Sequence, residues 1–149
     1  MAEYIDIAVG EPLEVACGAL RFRLRRREVG TDGGLSLELH GTGDEEEKEI
    51  LRYDLFRQDP HFHIPAGTAK PTGHLEPGSD VLSHALGRIR DEFPALLQEA
   101  GASQYLSSID GVELEPLIAQ LQAAAANAPD PTETRRIELT PEVRELLGT

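Results

Sequence analysis

The chain has 149 residues and a formal net charge of −13, which predicts one compact acidic domain whose overall field repels nucleic acid and anionic lipid. No apolar run is long enough to span a bilayer, and the opening residues lack the basic and apolar regions of a signal peptide. With Cys17 as the single cysteine, an internal disulfide is excluded and we expect a cytoplasmic protein.

Short β-rich segments fill the first third of the chain. Residues 4–9 and 13–18 are separated by the turn-forming residues 10–12. Residues 20–29 then alternate strictly, which predicts a strand with apolar side chains on one face and arginines on the other. The arginines of this stretch are Arg21, Arg23 and Arg25, followed by Arg26 and Arg27.

The next segments repeat the alternation. Residues 35–41 follow a glycine-rich hairpin loop, and residues 49–56 follow an acidic run at 44–47 that we predict to be a solvated loop. In the second segment Tyr53 points toward the core, whereas Arg52 and Asp54 lie on the polar face. With an extended stretch at 60–64, the pattern predicts an antiparallel meander of about five or six strands, buried on one face.

The second half of the chain has helical periodicity. After a loop at 65–78, Ser79 is the predicted N-cap of a helix whose apolar residues recur at intervals of three and four. Pro94 predicts a kink in this helix and Gly101 predicts its end. This helix is expected to pack on the sheet and complete an α+β core domain over residues 1–101.

Residues 102–149 are predicted to form a helical extension. An amphipathic helix is expected at 114–129, a linker at 128–136, and a short helix beginning at Thr140 and Pro141. Apolar stripes on this extension would bind a protein partner or a second copy of the chain. Such an interaction protein is the first functional hypothesis.

The stretch DPHFHIPAG at 59–67 concentrates the chemically versatile residues. On an extended strand His61 and His63 share one face, because Phe62 between them points toward the core. Two imidazoles at this spacing can bind a divalent transition metal, and His74 in the following loop is the predicted third ligand. Asp54, Asp59 and His40 are alternative third ligands.

Two metal-free interpretations of the same residues remain open. His61 and His63 could act as acid and base, with Asp54 orienting an imidazole and Arg52 holding phosphate, as in a small hydrolase or nuclease. Alternatively, the histidines form an ordinary solvated polar face. The arginines at 21, 23 and 25 have the same two options, either binding phosphate or pairing with carboxylates on neighbouring strands.

The segment LRYDLFRQDPHFHI at 51–64 resembles a strand-end motif, Arg-Tyr-Asp followed by Pro-His-x-His, of small bacterial proteins. It is also distantly similar to the TumE-like toxins of bacterial toxin–antitoxin pairs, over roughly residues 19–100. The resemblance implies an RNA-directed or defence-linked activity. The residues it marks are Arg52, Tyr53, Asp54, His61 and His63.

Overall fold

Alternating apolar and polar residues build an antiparallel sheet, as the sequence predicts. The computed structural model describes residues 2–42, 46–68 and 70–146. The α+β class is confirmed. The predicted acidic loop at 44–47 and the end of the C-terminal segment fall partly outside the described residues. In chain order the elements are β1 (Tyr4–Val9), β2 (Leu13–Cys17), β3 (Leu20–Val29), β4 (Asp32–Gly41), β5 (Lys48–Phe56), β6 (His61–His63), β7 (Gly73–His74), α1 (Val81–Glu99), a 3-10 helix (Ser103–Ile109), α2 (Leu114–Asn127), β8 (Thr134–Glu138) and α3 (Pro141–Leu146).

The sheet has eight strands rather than five or six. Their order is β7-β6-β5-β4-β3-β1-β8, and β2 pairs with the first half of β3 while β1 pairs with its end. The long pairs β3–β4 and β4–β5 form the middle of the sheet, where β4 is paired with a neighbouring strand on each side.

The hydrophobic core lies between one face of this sheet and the helices. Phe22 of β3 packs against Phe93 of α1 with ring centroids 5.8 Å apart. Tyr53 of β5 is fully buried in the same layer. The buried apolar residues form a single cluster that includes Leu24, Leu37, Leu51, Leu86, Ile89, Leu96, Leu117, Ile118 and Leu121.

Helix α1 differs from its prediction at the N-terminus only. The cap is Asp80 rather than Ser79, since a carboxylate oxygen of Asp80 accepts from the Ser83 amide at 3.1 Å while the Ser79 hydroxyl donates to Glu76 O. The kink expected from Pro94 is present, with non-helical dihedrals at Glu92. Gly101, with φ of +69°, follows the end of the helix as predicted.

The linker predicted at 128–136 is wrong over its last three residues, while residues 128–133 form neither helix nor strand. Residues Thr134–Glu138 form β8, which pairs along the whole of its length with β1. All five residues of β8 are exposed, so the segment has no buried alternating face. Backbone hydrogen bonds to β1 therefore hold this strand, and its side-chain pattern carries no strand signal.

Helix α2 packs on the core rather than away from it. Its apolar stripe, including Leu117, Ile118 and Leu121, is buried against the sheet layer. Arg26 reaches across to donate to Ala128 O at 3.1 Å and Ala125 O at 3.2 Å, which satisfies the carbonyl end of the helix. Residues on both sides of the predicted boundary at 101 thus share one core, and the stripe expected to bind a partner is covered by the chain itself. No helix of the described residues is long and apolar enough to cross a membrane.

Candidate functional site

The sheet face opposite the core carries the polar residues in rows, because paired strands bring their side chains side by side. One row runs across β3, β4, β5, β6 and β7 through Arg25, Ser36, Asp54, His61 and His74. The adjacent row runs through Arg23, Glu38, Arg52 and His63. The register therefore places the carboxylate of Asp54 beside both histidines of the DPHFH stretch.

Asp54 is the centre of this arrangement and is only 4% exposed. Its Oδ1 accepts from the Ser36 hydroxyl at 2.6 Å, and its Oδ2 accepts from Arg52 Nε at 3.0 Å. The same Oδ2 lies 3.1 Å from His61 Nε2 and 4.0 Å from His63 Nε2. Burial opposes ionisation, but the His61 hydrogen bond and the Arg52 charge outweigh it and hold the pKa of Asp54 well below its usual value.

His61 is held between two acceptors. Its Nδ1 lies 2.8 Å from the Asp59 carbonyl oxygen, while its Nε2 faces Asp54. Because the carbonyl and the carboxylate both accept, these two contacts favour a proton on each ring nitrogen in the metal-free protein. Burial lowers the pKa of His61, but the hydrogen bonds to Asp54 and to the Asp59 carbonyl dominate, so its pKa is raised.

His63 has the opposite protonation. Its Nδ1 lies 3.1 Å from the Thr68 hydroxyl oxygen, and the Thr68 hydroxyl itself donates to Lys70 O at 2.9 Å. Thr68 must therefore accept from His63, which puts the single proton on Nδ1 and leaves a lone pair on Nε2. Burial and the nearby Arg52 charge lower the pKa of His63, consistent with a neutral ring.

Asp54, His61 and His63 together form what we call the Asp54 cluster. One ligand atom from each lies within 4.8 Å of the other two. His74, the third metal ligand predicted from sequence, is not a member: its Nδ1 pairs with Asp59 Oδ1 at 2.8 Å, and its side chain is 60% exposed. Asp54, one of the alternative third ligands in the sequence prediction, takes the place of His74 in the cluster.

A cavity of about 260 Å³, the site cavity, opens onto the Asp54 cluster. Arg27 and Arg52 line it together with the cluster, Val29 and Phe56. Arg27 and Arg52 bring two guanidinium groups to the cavity wall, and Arg27 also pairs with Glu38 while Arg52 pairs with Asp54 and Glu49. A chain of net charge −13 thus presents two arginines at this cavity, where an anion would find donors.

The other predicted binding residues lie elsewhere. Arg21 pairs with Glu14, Arg23 pairs with Glu14 and Glu47, and neither arginine lines the site cavity. Tyr53 lies on the core face, where its ring packs on Phe62 at 5.2 Å between centroids and its hydroxyl is 3.4 Å from Arg88. Its place in the Arg-Tyr-Asp motif is structural.

A second cluster lies further along the same face. Glu38 accepts from Arg25 and Arg27 and contacts His40 Nε2 at 2.9 Å, and we call these four residues the Glu38 cluster. Burial opposes ionisation of Glu38, but the His40 hydrogen bond and the two arginine charges lower its pKa to about 2. Carboxylates of Glu38 and Glu49 and the His40 ring lie close enough to hold an ion, yet arginines already neutralise them.

Sequence reasoning missed the residues that support the cluster. The three candidate ligands are held by Ser36, Thr68 and the Asp59 carbonyl. Arg27, which the sequence places among the arginines of residues 21–27, lines the site cavity. The strand pairing of residues 32–41 with 48–56 could have placed Ser36 beside Asp54. The loop contact made by Thr68 has no sequence signal of its own.

The family comparison covers this whole site. A family model described as a domain of unknown function, DUF7700, matches residues 14–125. The chain belongs to this family. The DUF7700 match begins in β2 and ends in α2, so it includes the Asp54 cluster and leaves β1 and β8 outside. No curated protein and no solved structure matches the chain.

Proposed function

We propose that this DUF7700 domain binds one divalent transition metal ion through Asp54, His61 and His63, and uses it to hydrolyse an anionic substrate held in the site cavity. A set of two imidazoles and one carboxylate suits Zn²⁺, Fe²⁺ or Mn²⁺ and leaves coordination positions for water and substrate. The ion would supply an activated water at neutral pH.

The observation that carries the proposal is the outer hydrogen bonding of all three ligands. Ser36 holds the distal carboxylate oxygen of Asp54, the Asp59 carbonyl holds His61 Nδ1, and Thr68 holds His63 Nδ1. Metal sites characteristically orient their ligands in this way, because the second ring nitrogen fixes the tautomer that coordinates. Here every such partner is in place and each imidazole turns its Nε2 toward one carboxylate oxygen.

The distances support the same assignment. Two ligands of a tetrahedral zinc ion, each about 2.0–2.1 Å from it, lie roughly 3.4 Å apart. The separation of 3.1 Å between Asp54 Oδ2 and His61 Nε2 already suits this geometry. His63 Nε2, now 4.0 Å from that oxygen, needs to approach by only about half an ångström. A cation there also relieves the repulsion between its lone pair and the carboxylate.

Titration of the full-length protein with metal tests the proposal. Protein purified without a histidine tag and treated with chelator should bind one equivalent of Zn²⁺ by calorimetry, and Co²⁺ should give visible absorption bands of low-symmetry coordination. Asp54→Asn, His61→Ala and His63→Ala should each lower the affinity by about 100-fold or more, since losing a ligand exceeds the 10–100-fold cost of losing an outer partner.

Two histidines serve as matched controls. His84→Ala, at an exposed position in α1, should leave metal affinity unchanged. His74→Ala should also leave it unchanged, and this separates the Asp54 cluster from the set of three histidines suggested by sequence. Absence of stoichiometric metal binding by the wild-type protein would refute the proposal.

Metal-free acid–base catalysis is the second candidate function. Its supporting observation is the opposite protonation of the two rings, a protonated His61 and a neutral His63, beside a cavity with two arginines. Arg52 also occupies the Asp54 oxygen that would face a metal. RNA, the substrate class implied by the resemblance to TumE-like toxins, is the probe for this candidate. Cleavage that persists in chelator and falls about 10²–10⁴-fold in His61→Ala or His63→Ala would favour it.

A further inference from the structure

An apolar trough lies on the same sheet face as the Asp54 cluster. Val9 of β1 is 46% exposed and Ile137 of β8 is 38% exposed, both unusually high for large apolar side chains in a sheet. A cavity of about 550 Å³ lies over them, and its further lining residues are Ile7, Glu11, Thr132, Glu133 and Arg135. Exposed apolar surface concentrated in one concavity marks a binding surface more often than isolated exposed residues do.

The trough is continuous with the site cavity through the β1–β3 pairing. Val9, which lines the trough, is paired with Arg27, which lines the site cavity. Ile7 is likewise paired with Val29 of the site cavity. Paired residues of an antiparallel ladder project from the same face, so one ligand can touch both members of each pair.

We propose that the ligand of this site is amphiphilic, with one phosphate or carboxylate group bound by Arg27 and Arg52 and an apolar chain lying along Ile7, Val9 and Ile137. The inference rests on the proposed function, because the anionic group occupies the same cavity as the metal-bound reaction. Arg27 Nε supports the anion site: it is buried and, among the described residues, has no hydrogen-bond partner.

A second copy of the chain is the competing occupant, and charge opposes it. β8 is an edge strand, so two copies could pair antiparallel through it. A two-fold axis at the centre of Thr134–Glu138 would bring together two Arg135 and two Arg136 side chains, with each Arg136 already paired with Asp6 of its own chain at 2.9 Å. Like charges directly opposite each other destabilise a strand pair.

Calorimetric titrations with octyl phosphate and inorganic phosphate test the ligand class, using zinc-loaded and chelator-treated full-length protein. Octyl phosphate should bind at least tenfold more tightly than phosphate in either form, since each buried methylene strengthens binding about fourfold. The double variant Val9→Ser, Ile137→Ser should lower octyl phosphate affinity about tenfold and leave phosphate affinity unchanged. Arg27→Gln should weaken both ligands.

Tyr4→Ser is the matched control, because Tyr4 is 58% exposed on the same strand but belongs to the opposite face. It should change neither affinity. Equal affinity for octyl phosphate and phosphate would overturn the inference, as would a wild-type dimer that dissociates in the double variant without binding octyl phosphate. Failure of zinc to bind sinks the proposed function alone, since octyl phosphate binding through the arginines is measured without metal.

Discussion

Two clusters on one sheet face, centred on Asp54 and on Glu38, have the same ingredients and opposite character. Each has a buried carboxylate, at least one histidine, and at least one arginine paired with the carboxylate. Glu38 is enclosed by two arginines and His40, so its charge is satisfied by fixed partners. Asp54 instead faces an open cavity, and its neighbour His63 keeps an unused lone pair.

This difference separates structural from functional charge. Both clusters contain a buried carboxylate with a lowered pKa, so a lowered pKa alone does not identify a functional site. The Glu38 carboxylate is already paired with two arginines and His40, and we assign its cluster to holding β3 on β4. The Asp54 cluster offers a cation two ring nitrogens and a carboxylate oxygen, and it has space for a substrate.

Neutralising Asp54 should mainly weaken metal binding, whereas neutralising Glu38 should mainly lower the stability of the fold. Asp54→Asn should reduce zinc affinity by about 100-fold or more, whereas Glu38→Gln should leave it within about twofold of wild type. Glu38→Gln should instead lower the free energy of unfolding by about 2–3 kcal/mol, because two arginines lose their shared partner. Because both guanidinium groups are partly exposed, solvent screening makes this cost smaller than that of breaking a fully buried ion pair.

Calorimetry and chemical denaturation of the two chelator-treated variants measure these effects. The contrast fails if Glu38→Gln weakens zinc as strongly as Asp54→Asn does. In that case the two clusters would act as one extended site, bridged by Arg27, which contacts Glu38 and lines the site cavity.

Removing the loop support of His63 should have a smaller effect. Thr68→Val keeps the side-chain shape but removes the acceptor for His63 Nδ1–H, so zinc affinity should fall about tenfold. Thr42→Val is the control, since its hydroxyl donates to Ala19 O at the Glu38 end of the sheet. Isothermal titration of both variants gives the comparison, and equal zinc affinities would show that Thr68 does not orient the ring.

The two clusters also differ in how far sequence could predict them. Strict alternation in residues 20–29 and 49–56 fixed the two sheet faces, because a period of two needs only local sequence. It therefore placed Asp54, His61 and His63 on one face. Strand register then decided the rest: Ser36 beside Asp54 and Arg52 beside His63 depend on pairings between segments, which no single strand encodes.

Local sequence patterns do not predict elements that are held by backbone pairing or by contacts distant in the chain. β8 has five exposed residues and no alternation of burial, so it is recognised only from its pairing with β1, to which the Arg136–Asp6 ion pair adds. Arg26 looked like a member of the arginine stripe, yet strict alternation turns it to the helix side, where it caps α2 about a hundred residues later in the chain. His74 was close to the histidine pair in sequence but pairs with Asp59 instead.

The pH dependence of stability should show the opposite protonation of His61 and His63. In metal-free protein the raised pKa of His61 gives stability that is complete below its unfolded pKa of 6.5 and is lost as pH rises through the higher folded pKa. The lowered pKa of His63 costs stability as pH falls from 6.5 through the lower folded value. The contribution of the pair should therefore peak near pH 6.5.

Denaturant unfolding from pH 5 to 9 measures this profile against two variants. His61→Gln should remove the decline on the alkaline side, and His63→Gln should remove the decline on the acid side. Zinc should reverse the alkaline trend, because the ion replaces the Nε2 proton of His61 and binds more tightly as pH rises. Glu38 and its two arginines provide no such reversal, since the pKa of Glu38 is lowered to about 2 and the arginines stay charged. A zinc-loaded protein that still loses stability above pH 6.5 would mean that His61 keeps its proton and pairs with Asp54 alone.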